Sequence, residues 1–182
     1  MDWIPTPGSA KGRLVLAALD EFSTHGFDGV NVVELTKHIG LTTGVLYHHF
    51  GSKTGLYNFV REELERRVVD RMEGAFEALR EDDIHQAISK ATLVGFDAAV
   101  KLNACRIFSE TPQVGALDLV AGLFTDICDE QRSGLGAIVL ACWRAALCSV
   151  ADGLETATAR EALEWIFTKQ ETKPGVGTND DF

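Results

Sequence analysis

Apolar positions recur every three or four residues along most of the chain, and no alternating run bounded by turn residues interrupts them. The pattern predicts an all-α protein. Ser9 can cap a first helix whose buried stripe is Leu14, Ala17, Ala18 and Phe22 and which ends near His25–Gly26. "FDGV" reads as a turn. Asn31, with Glu34 three residues on, makes a capping-box-like start for a short second helix that buries Leu35 and Ile39 and stops at Gly40. Thr42 or Thr43 caps a third short helix through His49 or Phe50; Gly51 ends it and Ser52 caps a fourth.

The fourth helix carries Leu56, Val60, Leu64, Val68, Met72 and Phe76. Steps of four residues overshoot one turn by about 40° each. The stripe therefore winds, with Leu56 and Phe76 on nearly opposite sides. Such a helix packs on a front domain at its start and on a different core at its end. Glu62–Arg66 and Glu63–Arg67 are i,i+4 pairs for its solvent side. Further helical patterns cover 84–102, 104–110, 115–131, 136–152 and 157–169, punctuated by Pro112 and "RSGLG". The organisation is a helix-turn-helix domain over 1–52, a larger helical domain over 53–170, and a disordered tail over 171–182, rich in glycine and polar residues.

The stretch "LTTGVLYHHFGSKTGLY" carries the candidate chemistry. In a helix-turn-helix the second helix lies in the major groove. Leu46 and Phe50 then face the small core. Thr42, Thr43 and Gly44 form a helix start whose free N–H groups favour phosphate, and Gly44 lets the backbone come close to DNA. Tyr47 and His48 project toward phosphates or base edges, at least one of His48 and His49 faces the groove, with cover of the domain seam as the alternative for the other, and Lys53 adds a phosphate contact at the next helix start. A metal site at His48–His49 is disfavoured, since neighbouring helical residues point about 100° apart.

Charge qualifies this picture. The net charge is −10, but residues 1–60 hold four Lys/Arg against five Asp/Glu, a net of −1, which leaves −9 for the rest. A near-neutral front can present a local cationic face, with weak long-range attraction to DNA. Cys105, Cys128, Cys142 and Cys148 have no metal or redox-motif spacing; they read as buried apolar residues in a reducing cytosol, with redox sensing as the alternative. "MDWIPTPGSA" lacks a signal pattern, and the most apolar stretch contains Arg144, so the reading is a cytoplasmic protein without a membrane span. No phosphate loop, nucleophile signature or zinc-type histidine pair points to an enzyme, and no cofactor is called for.

"GLTTGVLYHHFGSKTGLY", with the preceding "HGFDGVNVVELTKHIG", resembles the TetR family of bacterial transcriptional regulators over residues 10–60. The resemblance implies a homodimeric, ligand-responsive repressor released from a double-stranded DNA operator by a small molecule. Val32 and Val33 stand where the family often has a polar residue, Thr43 where it often has Lys or Arg, and Val45 where Thr usually follows the glycine. Each change removes a phosphate contact. Affinity is then modest or salt-sensitive, or specificity rests on the histidines. A helical sensor or protein-interaction module with weakened DNA binding is the alternative.

In the rear domain, Phe96, Phe108, Phe124 and Trp143 either pack as core or, as the resemblance implies, line a cavity for a mainly apolar effector. Arg106 and Arg144 sit in apolar surroundings and pair with rear carboxylates or with an anionic group on that ligand. Trp143, Leu147, Val150, Leu163 and Ile166, on two apolar helices, are the expected dimer interface.

Overall fold

The computed structural model describes Thr6 and residues 8–167, and the described residues form nine helices. They are α1 (Ala10–Gly29), α2 (Val32–His38), α3 (Thr43–Phe50), α4 (Lys53–Glu77), α5 (Ile84–Lys101), α6 (Cys105–Ser109), α7 (Leu119–Asp129), α8 (Leu135–Ala151) and α9 (Thr156–Phe167). The expected tail over 171–182 and the end of the last expected helix lie outside the described residues.

Local signals place the first four helices. Ser9 Oγ accepts from the Gly12 N–H at 3.0 Å, the Asn31 side chain accepts from Val33 N at 2.9 Å, and Ser52 Oγ accepts from Gly55 N at 2.9 Å. Thr42 occupies the N-cap position of α3 without a side-chain capping bond. The expected stop at His25–Gly26 is only partly correct. Gly26 breaks the helix (φ 70°), but one more turn follows, through Gly29. That turn survives because the Phe27 N–H, freed by the break, is taken by the Glu110 carboxylate.

α1, α2 and α3 pack together and against the start of α4. Leu14, Val15, Ala18, Phe22, Leu35, Leu46 and Leu56 are buried there. The winding stripe of α4 is buried from Leu56 to Phe76. Along its length α4 meets α1 and α3 first, then α5 and α7, while α8 packs on α5, α6, α7 and α9. Buried side chains join into one cluster from Leu14 in α1 to Leu163 in α9. The exposed pairs expected on α4 form, Arg66 to Glu62 and Arg67 to Glu63.

The same helix also holds an ion pair in the core. Arg61 and Glu65 are 1% and 0% exposed, with Arg61 Nε 2.8 Å from Glu65 Oε1. Arg61 Nη1 donates to the carbonyls of Ile107 (2.5 Å) and Glu110 (3.0 Å), and the Leu119 N–H donates to Glu65 Oε2 (2.9 Å). Burial pushes the Glu65 carboxyl upward, opposed by the Arg61 charge and the Leu119 N–H. Removing one partner of such a pair strands the other. Glu65→Ala should therefore cost about 3–5 kcal/mol, whereas Glu62→Ala, on the solvent side, should cost under about 1 kcal/mol. Urea unfolding of the two variants measures the contrast.

Candidate nucleic-acid interface

The α2–α3 turn is built from backbone hydrogen bonds. Gly40 N donates to Lys37 O at 3.0 Å and Leu41 N to Thr36 O at 2.8 Å, while the Arg13 guanidinium reaches across to Ile39 O. Thr36 is buried and returns its hydroxyl to Val32 O at 2.9 Å. Leu46 anchors α3 in the core and Phe50 is half-buried, so the opposite side of α3 faces outward. Gly44, Tyr47 and His48 occupy it, Tyr47 being 51% exposed. Thr42 and His49 are exposed and Thr43 is half-buried. The His48 and His49 rings stand edge to face, 5.1 Å apart.

Two details refine this surface. Lys53 Nζ lies 4.6 Å from the Phe27 ring centroid and 3.5 Å from Asp28 O, so its ammonium rests on the last turn of α1. Of the three valines that replace polar residues, Val32 and Val45 are half-buried against the core, while Val33 is 58% exposed. The joint between α3 and α4 is tight. A Cβ on Gly55 would stand 2.0 Å from the Phe50 carbonyl oxygen.

The rear residues take the core-packing and internal-pairing places that one of their two sequence readings gives them. Phe96, Phe108, Phe124 and Trp143 are fully buried, with the Trp143 ring 5.9 Å from Phe108 and 6.2 Å from Phe124. Arg106 donates to Ala151 O at 2.7 Å and to Asp152 at 3.0 Å; Arg144 meets Asp118 at 2.6 Å. Both arginines thus have a carboxylate partner within the chain, while Arg144 Nε is buried without a hydrogen-bond partner among the described residues. Among the described residues the Trp143 indole N–H is buried without a hydrogen-bond partner.

The residues expected at the dimer interface divide between the core and the surface. Trp143, Leu147 and Leu163 face the chain's own core and Val150 is half-buried; only Ile166 is exposed. The inward row of α9 is Ala159, Leu163 and half-buried Phe167, a step of four, so Ile166 turns out with Trp165. The exposed apolar residues here are Trp165 (67%), Ile166 (52%) and, on α8, Ile138 (63%). Adjacent large residues at 165–167 could not all face inward, and that was the available signal. Among the cysteines, burial pushes the Cys105 and Cys128 thiols up to about 11, and Cys148 is exposed.

Residues 14–60 match the model of bacterial regulatory proteins of the tetR family. Over these residues, at the front of the chain, the protein is similar to the TetR family. It is 30% identical over 105 residues to the HTH-type transcriptional regulator BetI of Vibrio parahaemolyticus, covering 56% of this chain and 53% of that one. It is 36% identical over 72 residues to the HTH-type transcriptional repressor AcnR of Corynebacterium jeikeium, 38% of each chain. The match thus spans about half, or less, of the length of these curated relatives. A TetR-family transcriptional regulator from Pectobacterium atrosepticum shares the fold, with a TM-score of 0.60 at 19% identity over 84% of this chain and 87% of that one.

Asp118 both caps α7, accepting from Ala121 N at 3.1 Å, and binds Arg144. If Arg144 is structural, Asp118→Ala should lower stability by about 1 kcal/mol for the cap alone, and by more than Arg144→Leu does. Thermal unfolding of both variants provides the comparison.

Proposed function

We propose that this protein is a ligand-responsive, DNA-binding transcriptional regulator, a repressor released from its operator by a small molecule. The observation that carries the reading is the outward face of α3, with Gly44, Tyr47 and His48 exposed above buried Leu46, inside the region that matches the family model. Thr42, Thr43 and His49 flank that face, and Lys53 can leave the Phe27 ring for a phosphate at little cost. The relatives named above are regulators, which supports this over an enzymatic role. Among the described residues no helix is long and apolar enough to cross a membrane. A cytoplasmic location accords with a DNA-binding role.

The working unit is a homodimer, because paired half-sites call for two reading helices. The surface for it is the outer side of α8 and α9, where Ile138, Trp165 and Ile166 are exposed. The effector enters the rear core around Phe96, Phe108, Phe124 and Trp143. It is mainly apolar, with a hydrogen-bond acceptor for the unpartnered Trp143 N–H. Exposed Val33, where phosphate contacts would be wanted, favours the second reading of a sensor with weakened DNA binding.

Selection of bound sequences from random duplex DNA separates the two readings. A regulator enriches a two-fold repeated site; a sensor enriches nothing even at low salt. On the enriched site, Lys53→Ala should weaken binding and reduce the salt slope by about one unit. The dimer surface is checked by sedimentation: Ile138→Glu with Trp165→Glu should give a monomer that no longer prefers paired half-sites.

A further inference from the structure

We propose that Glu110 is a positioning residue that fixes the reading domain at a set angle on the rear of the molecule. The proposal rests on the operator-binding reading above. Glu110 follows α6, yet its carboxylate reaches the break in α1: both oxygens lie 3.1 Å from the Phe27 nitrogen. The Tyr57 hydroxyl, from the start of α4, donates to Glu110 Oε2 at 2.8 Å. One carboxylate thus joins α1, α4 and the α6–α7 loop. The site is shaped for it, because Gly26 has a φ of +70° and a Cβ there would stand 2.1 Å from Glu110 Oε1.

The contact has connections in both directions. Phe27 and Phe22 pack edge-on against the Tyr57 ring at 5.1 and 4.9 Å, and Lys53 rests on Phe27. On the other side Arg61 holds the Glu110 carbonyl, and Phe108, two residues upstream, packs on Trp143. A shift of the Phe108 ring therefore pulls on Glu110. Releasing Glu110 frees the last turn of α1 and the support of Lys53, and leaves α3 folded but no longer held at one angle.

Amide hydrogen exchange on the full chain tests the contact without DNA. In Glu110→Ala the Phe27 amide should exchange at least about tenfold faster while Leu35 and Leu46 keep their protection. Affinity for a duplex recovered by the selection should fall by about five- to tenfold with an unchanged salt slope, since no phosphate contact is removed. Glu110→Gln, which retains one acceptor, should lie between. Gly26→Ala, attacking the contact from the other side, should reproduce Glu110→Ala, and the double variant should be no worse than Gly26→Ala alone.

Three outcomes would overturn the proposal: unchanged Phe27 exchange in Glu110→Ala, loss of protection at Leu35 and Leu46 as well, or local release with unchanged DNA affinity. A wild-type protein that binds no duplex would sink the operator reading and the positioning role with it. Faster Phe27 exchange alone would then mark Glu110 as a structural contact only.

Discussion

A buried guanidinium demands acceptors on every side. Arg61 makes that demand in the core, on the helix that packs on α1 and α3 as well as on α5 and α7. It is met by Glu65 and by the carbonyls of Ile107 and Glu110, and Glu65 in turn takes the first N–H of α7, from Leu119. One turn of α4 thereby fixes where α6 ends and where α7 begins. An apolar pair in the same space could give equal or greater stability. What the ion pair adds is direction, because hydrogen bonds specify angles and oily contacts do not.

That direction passes to the front of the molecule. The α6–α7 loop, held at Glu110 O by Arg61, presents its carboxylate to Phe27 N and to Tyr57. The burial of Tyr57 raises its phenol well above the ordinary range, with the Glu110 charge acting in the same sense, so it remains a donor. Arg61 and Tyr57 lie one turn apart on α4. A single helix face thus serves the rear packing and the front contact together, within one continuous core.

Much of this was legible in the sequence where the cause is local. Ser9, Asn31 and Ser52 cap the helices they announce, and the stripe from Leu56 to Phe76 is buried as its spacing requires. Where the cause is distant, the sequence was silent. Arg61–Glu65 and Glu62–Arg66 have the same spacing and the same chemistry, yet one pair is in the core and the other in water. The difference lies in Ile107, Glu110 and Leu119, more than forty residues away. That Arg106 and Arg144 pair with rear carboxylates was one of two readings open in the sequence, and which carboxylates, Asp152 and Asp118, is fixed only by the fold. The outward face of α3 was readable because Leu46 and Phe50 identify its inner side. The inward face of α9 was not legible from spacing alone, because steps of three and of four from Leu163 both end on large apolar residues.

The joint between α3 and α4 has a bearing on exchange of parts between relatives. With Gly55 pressed on the Phe50 carbonyl, the two helices meet with no room for a side chain. A transplanted α3 would arrive with its own angle to α4, and nothing in that joint could absorb the difference. The smallest segment that can be moved as a unit therefore runs past α3 into the first turns of α4, through Leu56 and Tyr57. Chimeras cut inside the helix-turn-helix should be harder to assemble than chimeras cut within α4.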